Sequence, residues 1–267
     1  MSGLILNQSQ LNQVLQRSAN NLIRMSIFSK SKKDEPTPKG KFIVIDGPDG
    51  TGKKTQTDLL AQTLAVSGYD GMMFDFPQYG RVSSAMLEKY LNGDYGSLNA
   101  EAASIFYAID RFDASFKLRE HLDKGKIILS NRYVTSNAGH QGAKISDYDE
   151  RIKFYRWLDN LEYGTYNVPK ADLNIILHIP SDMAMELIDA RSLSENRKKD
   201  IHEQDPEHLK RAEEVYLEIA ELFPNTRLVE CVENGRLLSP TEVHAKVWEL
   251  VRRIALKDVE PTLIRNL

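Results

Sequence analysis

Residues 41 to 55 read KFIVIDGPDGTGKKT, and that order of signals leaves a chain few folds to choose from. The unbroken apolar, β-branched run predicts a strand buried on both faces, as strands of parallel sheets are. Gly47, Gly50 and Gly52 then allow the backbone to curl through a tight turn. The helical pattern KTQTDLLAQTLA follows at once and ends near Gly68. Strand, glycine turn and helix in succession open a β-α-β unit.

Four further runs repeat the strand signal: MMFDF (72–76), KIILSN (126–131), DLNIILHI (172–179) and RLVECV (227–232). With the first they predict five buried strands. The intervening lengths suit crossover helices, so the expected fold is α/β, a five-stranded parallel sheet with helices on both faces. Asp205 and Pro206 mark a helix start, after which Leu209, Ala212, Tyr216, Ile219 and Phe223 form a core stripe. Ser239 to Glu242 reads as a capping box ahead of Val243, Val247, Leu250 and Ile254. In such sheets ligands bind beyond the carboxyl ends of the strands, so the loops there are the place to look for chemistry.

A chain of 267 residues with 41% hydrophobic content can bury one large core. The expected organisation is one domain over residues 41–255, an N-terminal extension (1–40) and a short C-terminal tail (256–267). Thirty-five basic against 38 acidic residues leave a net charge of -3, too little to draw the whole protein to nucleic acid or to an anionic membrane. Any anion site is therefore local. No apolar run approaches a membrane span. The single Cys231 rules out an intrachain disulfide and reads as a buried small hydrophobe. The extension has no acid before Asp34 and carries Arg17, Arg24, Lys30, Lys32 and Lys33. That composition fits either a mitochondrial targeting segment or a peripheral extension on a cytoplasmic protein.

The turn after the first strand nearly matches G-x-x-x-x-G-K-[ST], whose backbone N–H groups cradle phosphate while its lysine reaches the terminal phosphates. Here that lysine is Lys53, but Lys54 stands where a magnesium-binding hydroxyl is usual. Thr55 is one position late, rotated by about 100° on a helix. Three other stretches concentrate polar chemistry. In EAASIFYAIDRF (101–112), Ile105, Ile109 and Phe112, continued by Phe116, make one helical stripe, and Tyr107, Asp110 and Arg111 the other. A solvated polar face is the competing reading of the second stripe. SNRYVTSNAGHQGAK (130–144) gathers Arg132, Asn137, His140, Gln141 and Lys144 in what reads as a loop, with His140 taken as a surface histidine. Between two helices, residues 190–205 collect Arg191, Arg197, Lys198 and Lys199, a short basic lid suited to closing over phosphates.

Taken in order and spacing, DGPDGTGKKTQ, DFPQYG, EKYLNGDYG, AIDRF, NRYVTSNAGHQGAK and LEYGTYNVPKADL resemble the thymidylate kinase family over about residues 41–250. The resemblance implies a P-loop NTPase fold, a homodimer, and transfer of the γ-phosphate of ATP to thymidine monophosphate with Mg2+. It implies that Gly47, Asp49, Gly50, Thr51, Gly52, Lys53, Lys54 and Thr55 bind ATP. Lys53, Arg132 and the lid residue Arg197 would be catalytic. Phe76, Tyr79, Tyr107, Arg111, Arg132, Asn137 and Gln141 would bind the acceptor, with Tyr107 stacking on thymine and Arg111 reaching its carbonyl. The chain departs from the family's pattern at Tyr79, where an arginine is usual, at Asn131 for an aspartate, and at His140 for an aromatic beside the sugar. Lys54 and Asn131 both disfavour a cation at its usual place. Asp49 remains as a carboxylate for magnesium, and an active kinase with a relocated metal is the expectation. Two rivals stay open, a nucleotide-binding protein without catalysis and a kinase for another monophosphate such as dUMP or UMP.

Overall fold

The computed structural model describes residues 40–194 and 205–261, together with Gln16 and Asn20. Among the described residues, β1 (Lys41–Asp46), β2 (Gly71–Asp75), β3 (Ile127–Asn131), β4 (Leu173–His178) and β5 (Thr226–Glu230) form one sheet in the order β2-β3-β1-β4-β5. Every pairing in it is parallel. The central β1 is buried from Phe42 to Asp46, and its middle, Phe42 to Ile45, is apolar because both of its faces are covered. β2 corrects the expectation of five buried strands. It is an edge strand whose alternate residues face solvent. A short antiparallel pair, β6 (Val232–Glu233) and β7 (Arg236–Leu237), follows β5.

Helices cover both faces: α1 (Lys53–Val66), α2 (Ala85–Leu91), α3 (Ala100–Asp123), α4 (Val134–Gly142), α5 (Tyr148–Asp159), α6 (Ser181–Ser194), α7 (Pro206–Leu222) and α8 (Pro240–Leu250). Two π-helical turns extend α5 and α8, over Asn160–Thr165 and Val251–Ala255. The start signals predicted for α7 and α8 are in place. Asp205 accepts from His208 N, and Ser239 and Glu242 form a reciprocal capping box. One core packs between the sheet and α3, α4, α5 and α7, with Phe42, Leu118, Tyr155 and Ile219 at its centre. The other packs α1, α6 and α8 on the opposite face, around Ile43, Leu60, Ile175 and Val247. Cys231 is buried in the second core, as is Leu256, at the start of the expected tail.

One expectation, and the competing reading of a second segment, fail here for a shared reason. The stretch after β3 is the helix α4, not a loop, and every residue from Val134 to Gly142 is buried. Its small residues admit close neighbours. A Cβ on Gly139 would stand 2.4 Å from the Tyr216 ring of α7. On α3 the polar stripe, solvated in the competing reading, is buried at Asp110 and Arg111, each 1% exposed, whereas Ile105, Ile109, Phe112 and Phe116 lie open to solvent. Tertiary packing, not local propensity, decides both segments. No described helix is long and apolar enough to cross a membrane. Residues 1–39, apart from Gln16 and Asn20, and the lid residues Arg197, Lys198 and Lys199 lie outside the described residues. Arg191 sits on α6.

Candidate active site

The site begins where β1 ends. Asp46 is fully buried and accepts from Gly47 N at 2.8 Å, Thr135 Oγ1 and Ser136 Oγ at 2.6 Å each, and Tyr216 OH at 3.0 Å. Those bonds satisfy a buried carboxylate and tie the glycine turn to α4 and α7. Gly50 takes φ +83°, and a Cβ there would meet the Ala184 carbonyl oxygen at 2.6 Å, so the turn tolerates only glycine at that point. Lys53 opens α1, buried, with Nζ donating to the Pro48 carbonyl at 2.7 Å and standing 3.6 Å from Asp49 Oδ1. Burial, then the neighbouring Arg132 charge, lowers its pKa to about 8.

Arg132 follows β3 in a left-handed conformation, φ 65°, held by a bond from its N–H to the Ile45 carbonyl at 2.9 Å. Its Nη2 donates to Asp49 Oδ1, and its Nη1 lies 3.0 Å from His140 Nε2. A guanidinium only donates, so Nε2 is the acceptor. His140 is thus buried at the site, correcting the surface reading. Burial alone would raise the Asp49 carboxyl, but the charges of Arg132 and Lys53 outweigh it and hold the group well below the usual carboxylate range. Lys54 lies at the edge of the site. Its ammonium sits 2.6 Å from both Asp58 oxygens on the exposed side of α1.

Two cavities adjoin at Asp49 and Arg132. The larger runs along the glycine turn and the start of α1, Asp49 to Gln56, and is walled by Asp75, Asn131 and Arg191. The smaller is lined by Phe76, Tyr79, Tyr107, Arg111, Ser136 and His140 among others. Asp110 accepts from Gln78 N and from Ser83 Oγ, both at 2.8 Å, and so fixes the loop that carries Tyr79 over this cavity. The structure therefore brings together Asp49 to Thr55 of the phosphate loop, Arg132, Phe76, Tyr79, Tyr107 and Arg111, while Gly47 lines neither cavity. Asn137 and Gln141 stand behind the small cavity's lining, fully buried on α4. Asn137 donates to the Ser104 carbonyl of α3 at 3.1 Å.

Sequence reasoning missed Asp46, Asp75 and Glu162. Asp75 and Asn131 end adjacent strands, with Asn131 Nδ2 donating to Asp75 Oδ1 at 2.8 Å, and burial raises the Asp75 pKa. Glu162 is buried against Arg111. Position at a strand's carboxyl end was a signal available for Asp46 and Asp75. Nothing local marks a glutamate as buried.

A family model described as thymidylate kinase matches residues 45–242. The chain is 31% identical to a probable thymidylate kinase of Thermococcus onnurineus over 81% of this chain and 99% of that protein. It is 28% identical to the thymidylate kinase of Mycobacterium tuberculosis over 67% of this chain and 85% of that one. A solved thymidylate kinase from Candida albicans superposes with a TM-score of 0.61 over 80% of this chain and 92% of that chain, at 23% identity, which shows the shared fold. The matched residues take in the glycine turn, the small cavity, nearly all of the larger one and strands β2 to β5, and the chain belongs to the thymidylate kinase family.

Proposed function

We propose that the chain transfers the γ-phosphate of ATP to thymidine monophosphate, giving ADP and thymidine diphosphate, and that residues 41–255 are its catalytic unit. The observation that carries this reading is the meeting of two cavities at one arginine, a phosphate-binding turn on one side and an aromatic-lined cavity on the other. Phosphoryl transfer is catalysed mainly by positioning and by neutralising charge on the phosphates. Lys53 would exchange the Pro48 carbonyl and Asp49 for the terminal phosphates of ATP. Arg132 would bridge donor and acceptor phosphates across the junction. Phe76 and Tyr107 offer ring faces to the base, and Arg111 an N–H to its carbonyl. Arg197 is kept as the lid cation.

Oxygen donors suited to a hard cation line the larger cavity: Asp49, Asp75 and Asn131, whose buried Oδ1 has no hydrogen-bond partner among the described residues. They fit Mg2+, with Asp49 as the carboxylate nearest the glycine turn. Bound there, magnesium would supply further neutralisation of the phosphate charge. The exposed apolar stripe of α3 supports a homodimer, since Phe116 is 64% exposed and Ile105, Ile109 and Phe112 each more than a third. Light scattering is expected to give twice the chain mass, and Phe116→Asp to halve it; a monomeric wild type refutes the dimer.

A coupled assay of ADP formation across thymidine, deoxyuridine, uridine and cytidine monophosphates tests the reading. Cytosine puts an amino group where thymine has a carbonyl, leaving a buried donor unpaired at about 1–3 kcal/mol, so kcat/KM for cytidine monophosphate should be about tenfold to a hundredfold lower. Equal values would refute the choice of acceptor. No ADP with any of the four would refute the kinase.

A further inference from the structure

Arg111 and Glu162 are among the most deeply buried charged residues described, at 1% and 0% exposure. They come from different elements. Arg111 lies on α3, and Glu162 sits in the π-helical turn Asn160–Thr165 beyond α5. Arg111 Nε donates to both carboxylate oxygens, at 3.0 and 3.2 Å, and Nη2 donates to Oε1 as well. Two donors on one edge of a planar guanidinium fix its plane. Nη1, on the other edge, reaches the Tyr133 carbonyl at 3.4 Å. Arg111 lines the small cavity while Glu162 lies behind that lining. Glu162 is the buried residue of its π-helical turn, and such turns recur at functional sites.

Pairing and exposure distinguish the two arginines of this cavity. At the junction Lys53 and Arg132 both face the carboxylate of Asp49, with the buried Asp46 acting on both as well, and Arg132 keeps 23% of its side chain exposed. At the far end Arg111 and Glu162 cancel, one against one. We propose that Glu162 is a positioning residue that orients Arg111 and cancels its charge, so the far end of the cavity takes a neutral carbonyl and not an anion. An acceptor is thereby directed, phosphate toward Arg132 and base edge toward Arg111. This rests on the kinase reading above and names how that same site tells the two ends of its acceptor apart.

The test compares wild type with E162Q, E162D, R111Q and R111Q/E162Q. KM and kcat are measured for thymidine monophosphate and for ATP, and inhibition by inorganic phosphate is measured against thymidine monophosphate. E162Q leaves Arg111 uncompensated, and it should raise KM for the monophosphate about tenfold or more, with kcat and the KM of ATP little changed. It should also strengthen inhibition by phosphate, which a merely structural role would not do. E162D keeps the charge and should restore resistance to phosphate. In the R111Q background, E162Q should add nothing to KM, because its effect passes through Arg111. A folded E162Q with native KM and native phosphate inhibition overturns the proposal, and so does an equal E162Q effect in both backgrounds. Should E162Q fail to fold with a stranded buried cation, the double variant lacks both charges and decides the matter against R111Q alone: equal KM supports the role, a further rise overturns it. Calorimetric affinities for thymidine monophosphate and phosphate in wild type and E162Q keep this question separate from turnover, so a wild type without kinase activity would refute the functional reading alone.

Discussion

Lys53→Ala is expected to lower kcat by about a thousandfold while leaving the fold intact, because a fixed cation on transferring phosphate stabilises charge that develops in the transition state. Intactness is expected from the surroundings. Lys53 Nζ donates one hydrogen bond, to the Pro48 carbonyl, and Arg132 still faces Asp49 when the lysine is gone. The same side chain predicts a pH dependence. With its pKa lowered to about 8 by burial and by Arg132, Lys53 is charged below that pH and loses its charge above it. In wild type kcat/KM for ATP should therefore fall as pH rises through about 8. Bound phosphates favour the ammonium, so the corresponding limb in kcat should lie at higher pH. Rapid-quench turnover together with a thermal melt measures the first effect, and near-native turnover in a folded Lys53→Ala would remove the central role given to this residue.

The parts of this molecule that the sequence announces are those whose signal is local. The turn after β1 is legible because glycine spacing, a lysine and a helix start are all specified within a dozen residues. The capping box at Ser239 and the stripe from Leu209 to Phe223 are legible for the same reason. What is not legible depends on partners distant in the chain. Nothing between residues 130 and 144 has the periodicity of a helix, and α4 forms because Gly139 and Gly142 let α7 and α5 approach and because Asp46 bonds Thr135 and Ser136. On α3 the periodicity correctly separates two faces but cannot say which is inside. Asp110 and Arg111 are buried because Gln78, Ser83 and Glu162 complete them, and none of the three can be read from the helix itself. His140 was misread in the same way, its partner Arg132 being visible but not its burial. The partner of Lys54 was not announced either. Its ammonium pairs with Asp58 at the edge of the larger cavity, so the substitution at the usual hydroxyl position removes a metal ligand and leaves a cation beside that cavity.

That last point sharpens what Asp49 is expected to do. Its carboxylate is shared by Arg132 and Lys53, so Asp49 would hold a metal ion in competition with those two cations. Asp49→Asn should accordingly raise the magnesium concentration for half-maximal activity by about tenfold to a hundredfold, the scale on which altered ligand shells act. ATP affinity without metal should be unchanged or tighter, because the two cations are then uncommitted. These opposite signs separate loss of a metal ligand from general damage to the site. Converting Lys54 to Thr and Asn131 to Asp together should lessen the dependence on Asp49. Asn131 Nδ2 lies 2.8 Å from Asp75 Oδ1, so an aspartate there sets two carboxylates side by side at the cavity wall, an arrangement that repels itself until a cation arrives. That background should show a larger rise in melting temperature with added Mg2+ than wild type, a readout independent of turnover. The full cycle, Asp49→Asn in both backgrounds across a magnesium titration, measures the coupling directly. Unchanged magnesium dependence of Asp49→Asn in the native background would show that Asp49 is an anchor for Arg132 and Lys53 alone, and would leave Asp75 and Asn131 as the oxygens that hold the metal.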